Sequence, residues 1–196
     1  MAAEGAPRRR VVLSLLAWSL ASAAVAAPSW RVAAGDLRVV VPLRPGGAFE
    51  AKSTALSGTL AVGSGRPLAV TGEVALDLSS VDTGIALRNE HLRDKYLQVA
   101  KGAGFDKAVL SSIVVTEAAD AAFAGKSPFT GMLLLHGVSH PVSGTAEFRK
   151  VSQGIRVDAA FPLVLTDHAV EPPQDLGVGV AAKVMVKVSF IAVPAP

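Results

Sequence analysis

The stretch IRVDAAFPL, residues 155–163, decides the fold. Its odd-numbered positions are all apolar, whereas its even-numbered positions include Arg156 and Asp158. Successive side chains of a β-strand point to opposite faces, so a period of two places one face against a core and leaves the other in water. The stretch therefore predicts a half-buried strand.

The same alternation recurs along most of the chain, within residues 70–78, 129–135, 142–149 and 184–190. Clusters of glycine, proline and serine separate these stretches, for example at residues 63–67 and 152–154. Connections this short favour antiparallel neighbours, because parallel strands need long crossovers. We therefore predict an all-β protein with a sheet of about seven to nine strands.

One segment, residues 85–97, breaks the period of two. Ile85, Leu92 and Tyr96 recur near helical spacing among charged residues. Asp82 or Thr83 is placed to act as the N-cap, accepting a hydrogen bond from the first free amides of a helix. The sequence therefore predicts one or two short helices beside the sheet.

Closing the sheet into a barrel removes its exposed edges, and a barrel of about eight strands is wide enough to hold one small ligand. Aliphatic side chains with few aromatics dominate the inward positions, which favours an apolar channel over a filled interior. A filled barrel and a two-sheet sandwich stay open as alternatives. Strand parity places eight residues inside: Leu76, Leu78, Leu133, Leu135, Phe161, Leu163, Val184 and Val186. Four more are expected to pack from the helix side: Val81, Leu92, Tyr96 and Leu97.

Residues 1–26 have the features of a secretory signal peptide. Three arginines, Arg8 to Arg10, precede a short apolar run, and an A-x-A exit ends at Ala26. A signal anchor and a twin-arginine export signal are the alternatives. We expect a mature domain of residues 27–196 in the periplasm or secreted, with no stable membrane insertion, because no later segment reaches the apolar length of a spanning helix.

Charge and composition exclude several classes of function. The 196 residues include 19 Lys and Arg against 16 Asp and Glu, and removing residues 1–26 leaves 16 against 15. The mature domain therefore lacks the basic surplus that nucleic-acid binding needs. A hydrophobic fraction of 51% excludes intrinsic disorder, and the absence of cysteine excludes disulfides and thiolate chemistry.

The remaining motifs give little support for catalysis or metal binding. His136 and His140 lie four residues apart, but Gly137 and Pro141 predict a turn there, and a metal site needs three convergent ligands. We expect a hydrogen-bonded structural role for His136. The triplet Asp82-Thr83-Gly84 matches aspartic proteases, yet the bulky Ile85 follows where those enzymes have a small residue. We predict no catalytic residue, no metal site and no enzyme activity.

Two longer stretches carry a family resemblance. LDLSSVDTGIALRNEHLR, residues 76–93, resembles the signature D-x-x-S-v-D-T-G-x-x-x-R-d-x-H-L of the YceI family of bacterial periplasmic proteins. FTGMLLLHGVSHPV, residues 129–142, resembles the hairpin G-x-L-t-i-h-G-v-t-x-P-v of the same family. The chain departs from the family pattern at residues 104–110, where Leu110 replaces a phenylalanine, and at Asp167-His168-Ala169, which replaces an Asp-Phe-Gly-like element.

The resemblance implies an antiparallel, eight-stranded, lipocalin-like β-barrel with a helix, whose apolar tunnel holds a long isoprenoid chain such as that of a quinone or polyprenyl lipid. Leu110 joins the expected lining, and no cofactor is expected other than such a lipid. Asp82, Thr83, Arg88 and His91 are candidates either for capping the helix or for contacting a headgroup. Two alternatives stay open: a hydrolytic or lipid-modifying enzyme using Asp82 and His91, and a ligand-free protein-interaction module. A homodimer also stays open.

Overall fold

The structure is a computed structural model that describes residues 28–116, 124–175 and 178–195. The predicted signal peptide, residues 1–26, lies outside the described residues. Eleven strands are present in the described ranges: β1 (Ser29–Arg44), β2 (Ala48–Ser53), β3 (Leu56–Val62), β4 (Leu68–Asp77), β5 (Lys107–Val115), β6 (Gly125–Leu135), β7 (Val138–Val151), β8 (Gly154–Val164), β9 (Gln174–Asp175), β10 (Val178–Val180) and β11 (Lys183–Pro194).

The main strands form a closed antiparallel barrel of eight strand positions, one of which β2 and β3 share. Strands β3 to β8 pair in sequence order, β8 pairs with β11, and β11 pairs with β1. The closing seam between β1 and β11 runs from Trp30 opposite Pro194 to Val40 opposite Met185. Along its other edge, the first part of β1 pairs with β3 and the later part pairs with β2. These two strands therefore lie end to end beside β1. The predicted closed, eight-stranded, antiparallel barrel is confirmed.

The register assigns the connections to two ends of the barrel. We call one the helix end: it carries the β1–β2 turn, residues 78–106, the β6–β7 turn and residues 165–182. The opposite end carries the β3–β4 and β7–β8 turns and the two ends of the described chain. Strands β9 and β10 extend the sheet at the helix end, where Val180 pairs with Leu43 of β1.

The predicted helix is shorter and less regular than the sequence suggests. An α-helix, α1 (Ala86–His91), is followed by one π-helical turn over Leu92–Tyr96, in which Leu97 N donates to Leu92 O at 2.8 Å. None of the helices in the described ranges is long and apolar enough to cross a bilayer.

The prediction that Asp82 or Thr83 caps this helix is wrong. The residue before α1 is Ile85, with an extended φ of −131°, and no side chain caps the first turn. Asp82 and Thr83 lie too far upstream to reach the first amides of α1, and their side chains bind Asn89 instead.

The predicted turn at residues 136–141 is only two residues long. Strand β6 ends at Leu135 and β7 begins at Val138, so His140 and Pro141 lie within β7. His136 and Gly137 have φ of 52° and 77°, as a two-residue hairpin turn requires to match the twist of the flanking strands.

Candidate binding cavity

The barrel is hollow. A cavity of about 680 Å³ runs along its interior, within the range of roughly 300–1,000 Å³ that single small-molecule ligands occupy. Alternate residues of every barrel strand form the wall, and valine and leucine supply more than half of it. The interior is therefore an open channel. The alternatives of a filled barrel and a two-sheet sandwich do not describe it.

All thirteen side chains predicted to line the channel are in the cavity wall. Leu76, Leu78, Leu110, Leu133, Leu135, Phe161, Leu163, Val184 and Val186 reach it from the barrel and the start of the β4–β5 connection, and Val81, Leu92, Tyr96 and Leu97 reach it from the helix side. Strand parity was sufficient to place the strand residues other than Leu110, which the family resemblance supplied, because in a closed barrel every second side chain points inward. Their contact with a ligand stays a prediction.

The wall also extends toward the opposite end, through residues that the sequence analysis did not include. Trp30, Val62, Val115, Ile155 and Ala192 line this half. Parity could have found two of them: Ile155 shares the face of Phe161, and Ala192 shares the face of Val184. The wall residues Leu37, Val39, Val41 and Leu43 of β1 also alternate, so parity would have placed them had that strand been assigned to the barrel.

Polar side chains enter the wall mainly at the helix end. Thr83, Arg88 and His91 come from α1 and the segment before it, and Glu171 comes from the β8–β11 connection. Ile85 and Leu87 belong to the same wall and are 49% and 60% exposed. The cavity therefore reaches the surface beside α1, and we call this opening, formed by Thr83, Ile85, Leu87, Arg88, His91 and Glu171, the mouth.

The side chain of Asn89 attaches α1 to the segment before it through three hydrogen bonds. Its Oδ1 accepts from the backbone N and the Oγ1 of Thr83, at 2.8 and 2.6 Å. Its Nδ2 donates to Asp82 Oδ1 at 2.7 Å, and the same oxygen accepts from Gly84 N at 2.8 Å. These two bonds lower the pKa of Asp82, the bond from Asn89 most. Sequence reasoning missed Asn89 because its partners lie six and seven residues earlier, outside any local capping pattern.

This attachment extends to the barrel wall. The backbones of Asp82 and Lys52 exchange two hydrogen bonds of 2.8 Å, which hold the segment against β2. Strand β2 carries Phe49, and the guanidinium of Arg88 lies 4.2 Å from the centroid of its ring. Arg88 is thus held in the wall by its cation–π contact with Phe49 and by the anchored helix that carries it.

Two histidines hold the 165–173 segment against the β6–β7 hairpin. His168 is completely buried, and its Nδ1 donates to Val138 O at 3.0 Å. In the reverse direction His136 Nδ1 donates to His168 O at 3.2 Å, so His136 is a hydrogen-bonded structural residue in the described fold. Burial lowers the pKa of His168. The segment supplies Leu165 and Val170 to the cavity wall.

Comparison with protein families matches residues 36–192 to the YceI-like domain. The chain belongs to the YceI family. The YceI domain accounts for all eight barrel strands except the first residues of β1 and the last of β11. No curated protein matches the sequence.

Solved structures share this fold at low sequence identity. A polyisoprenoid binding domain from Saccharophagus degradans, implicated in plant cell wall breakdown, is 20% identical, with a TM-score of 0.62 over 87% of this chain and 99% of that one. BcnA of Burkholderia cenocepacia is 17% identical, with a TM-score of 0.63 over 80% and 95%. The YCEI protein of Campylobacter jejuni is 15% identical, with a TM-score of 0.50 over 74% and 84%.

The departures of this YceI chain from the family pattern have a structural consequence at the helix end. His168 stands where the pattern has a phenylalanine, and its ring adds the hydrogen bond to Val138 that a phenylalanine could not make. His140 lies beside it, with ring centroids 5.8 Å apart, and its Nδ1 is 4.0 Å from Asp167 Oδ2. Within the described ranges, no group of three or more His, Asp or Glu side chains could hold a metal ion.

Proposed function

We propose that this YceI domain is a periplasmic or secreted carrier that holds a single isoprenoid chain, or a similar long-chain amphiphile, inside its barrel. The observation that carries the proposal is one continuous apolar cavity of about 680 Å³ that reaches the surface at a mouth with polar side chains. The Saccharophagus degradans structure of the same fold is named as a polyisoprenoid binding domain, which supports this ligand class. The N-terminal 26 residues support export.

The binding energy of such a ligand comes mainly from the apolar surface that it removes from water. A chain that loses about 400 Å² of apolar surface gains roughly 10 kcal/mol at ~25 cal/mol per Å², before the costs of association are subtracted. Few polar contacts are then needed, which agrees with a wall that is apolar except at the mouth.

A binding role is preferred to the hydrolytic alternative. Asp82 is not part of the cavity wall, and its carboxylate accepts hydrogen bonds from Gly84 and Asn89. The arrangement holds α1 in place and leaves Asp82 and His91 without the mutual contact that a general acid–base pair needs.

Extraction tests the proposal directly. Mature protein purified from a cell rich in isoprenoid quinones and polyprenyl lipids, extracted with organic solvent and analysed by mass spectrometry, should yield a stoichiometric long-chain lipid. Recovery of none would contradict the carrier role. Mass analysis of the exported protein should show an N-terminus at Ala27, and a retained N-terminal segment would contradict export by cleavage.

A substitution inside the barrel tests whether the cavity is the site. Ala159 lines the cavity from β8, whereas its neighbour Ala160 points outward. Ala159→Phe should place a ring in the cavity and lower the affinity for a fluorescent apolar probe such as N-phenyl-1-naphthylamine about tenfold or more, because the ring and the probe compete for one volume. Ala160→Phe is the matched control and should bind as the parent does. Equal binding by both variants would contradict the cavity as the site.

A further inference from the structure

Arg88 differs from the other cationic side chains of the protein in its surroundings. Of the Lys and Arg side chains in the described part of the chain, it alone lies in the cavity wall. It is half-buried, next to the apolar interior. Arg149 and Arg156, in contrast, lie on the outer surface and pair with Glu147 and Asp158 at 2.9 and 3.2 Å.

The Arg88 guanidinium has neither an ion pair nor a hydrogen bond among the described residues. Among the described carboxylates none lies within 4.0 Å of it, and it makes no side-chain hydrogen bond in those ranges. Its contact is the Phe49 ring, 4.2 Å from ring centroid to guanidinium carbon. A ring on one face leaves the N–H groups at the guanidinium edge available to bind a planar or tetrahedral anion, often through two parallel hydrogen bonds.

The position of Arg88 relates it to the ligand. It lies at the mouth, where the apolar wall ends, so an amphiphile with its tail in the barrel places its headgroup there. His91, three residues later on α1, is at the same mouth and adds a second donor. A charge in partly desolvated surroundings interacts more strongly with an opposite charge than it would in water.

We infer, on the basis of the proposed function, that the carried amphiphile has an anionic headgroup, a phosphate or a carboxylate, and that Arg88 binds it. A neutral headgroup would leave the guanidinium without a counter-charge in the cavity wall, which is unfavourable. Glu171 is the one acidic side chain of the described wall, and its exposed carboxylate opposes the anion. The two residues therefore have opposite effects on the same ligand.

Three probes with one tail and different headgroups test this inference: farnesyl phosphate, farnesoic acid and farnesol. We expect both anions to bind about tenfold more tightly than the alcohol, as a charge-assisted hydrogen-bonded pair would give. Arg88→Gln should remove that preference and leave farnesol affinity within about twofold. Arg88→Lys should retain part of it, because the charge stays but the two-pronged geometry does not.

Two further variants complete the test, the first as a matched control and the second as a change of the opposing charge. Arg93→Gln, on the same helical segment but outside the cavity wall, should leave all three affinities unchanged. Glu171→Gln should tighten the two anions and not the alcohol. Circular dichroism and the melting temperature of each variant establish that it is folded before binding is compared.

The outcomes separate the inference from the function on which it rests. Equal affinity for all three probes, or an equal loss of all three in a folded Arg88→Gln, would overturn the anionic headgroup and leave the carrier in place. Failure of every probe to bind the parent would overturn both. Displacement of farnesyl phosphate by excess inorganic phosphate would assign Arg88 to a free anion and would overturn the headgroup role.

Discussion

Ala169 has the backbone conformation of a glycine. It ends the short helical turn at Leu165–His168 with φ 54° and ψ 26°, in the left-handed region, and it stands where the YceI pattern has a glycine. A Cβ atom in this region costs roughly 1–2 kcal/mol, because it approaches the following carbonyl oxygen. The substitution is visible in the sequence, but the conformation that makes it unfavourable is visible only in the structure.

Replacing this alanine should stabilise the protein. Ala169→Gly removes the Cβ contact but adds freedom to the unfolded chain, so we expect a net gain of up to about 1 kcal/mol and a melting temperature about 2–4 °C higher. Calorimetry measures the difference. The control is Ala86→Gly in the exposed first turn of α1, where glycine should destabilise. A lower melting temperature for Ala169→Gly would contradict the strain at this position.

At the scale of elements, two connections define the helix end. The α1 segment is held by Asn89 and by the backbone pairing of Asp82 with Lys52. The 165–173 segment is held by the reciprocal hydrogen bonds of His136 and His168. Sequence reasoning found most of these residues but assigned Asp82 to a local cap, because local patterns describe partners three or four residues apart. The actual side-chain partner of Asp82 is Asn89, seven residues later, and only the histidine pair joins residues distant in the chain.

The buried His168 should make stability depend on pH. Its pKa in the folded protein lies below the ordinary value of 6.5, chiefly because burial disfavours the charged ring; nearby His140 lowers it further, while Asp167 and the Val138 carbonyl oppose the shift. As the pH falls below 6.5, the unfolded chain takes up a proton that the folded protein resists. The free energy of unfolding should therefore be highest above pH 6.5 and decrease as the pH falls through the folded pKa.

His168→Phe isolates this contribution. A phenylalanine retains an aromatic ring at the position and cannot titrate, so urea unfolding at pH 7.5 and 5.5 should show a smaller loss of stability for the variant than for the parent. At pH 7.5 the variant should be less stable by about 1 kcal/mol, since it lacks the hydrogen bond to Val138. Equal losses on acidification in the two proteins would show that His168 is not the titrating group.

The whole molecule is a barrel with much of its apolar surface directed at an internal channel. Most proteins use inward aliphatic side chains to fill a core, and here the same side chains line a cavity of about 680 Å³. A hollow interior lacks the contacts that a filled core would supply. A ligand bound in the channel would supply those contacts to the folded state.

Ligand removal should lower the stability of the whole domain. A ligand that binds only the folded protein stabilises it by about 2.7 kcal/mol at a free concentration one hundred times its Kd. For a domain of this size that corresponds to a melting temperature roughly 5–10 °C above that of protein stripped by solvent extraction. Calorimetry before extraction, after it, and after addition of the extracted lipid measures the change. An unchanged melting temperature would contradict occupancy of the channel.

The sequence by itself determined the strand pattern, the helix-bearing connection and the inward identity of thirteen wall residues, from Leu76 to Val186. For the strand residues this follows from a local rule, because a period of two assigns each of them to a face whatever the strand pairs with. Leu110 came from the family resemblance, and four residues came from the helix-bearing connection. Only the tertiary structure decided that the barrel stays open and that Asn89, not an N-cap, holds α1. It also placed Arg88 against Phe49 without a counter-charge. The open barrel and the Arg88–Phe49 contact depend on distances between residues far apart in the chain, and the bonds of Asn89 depend on how residues 82–89 fold back on themselves, which no periodicity shows.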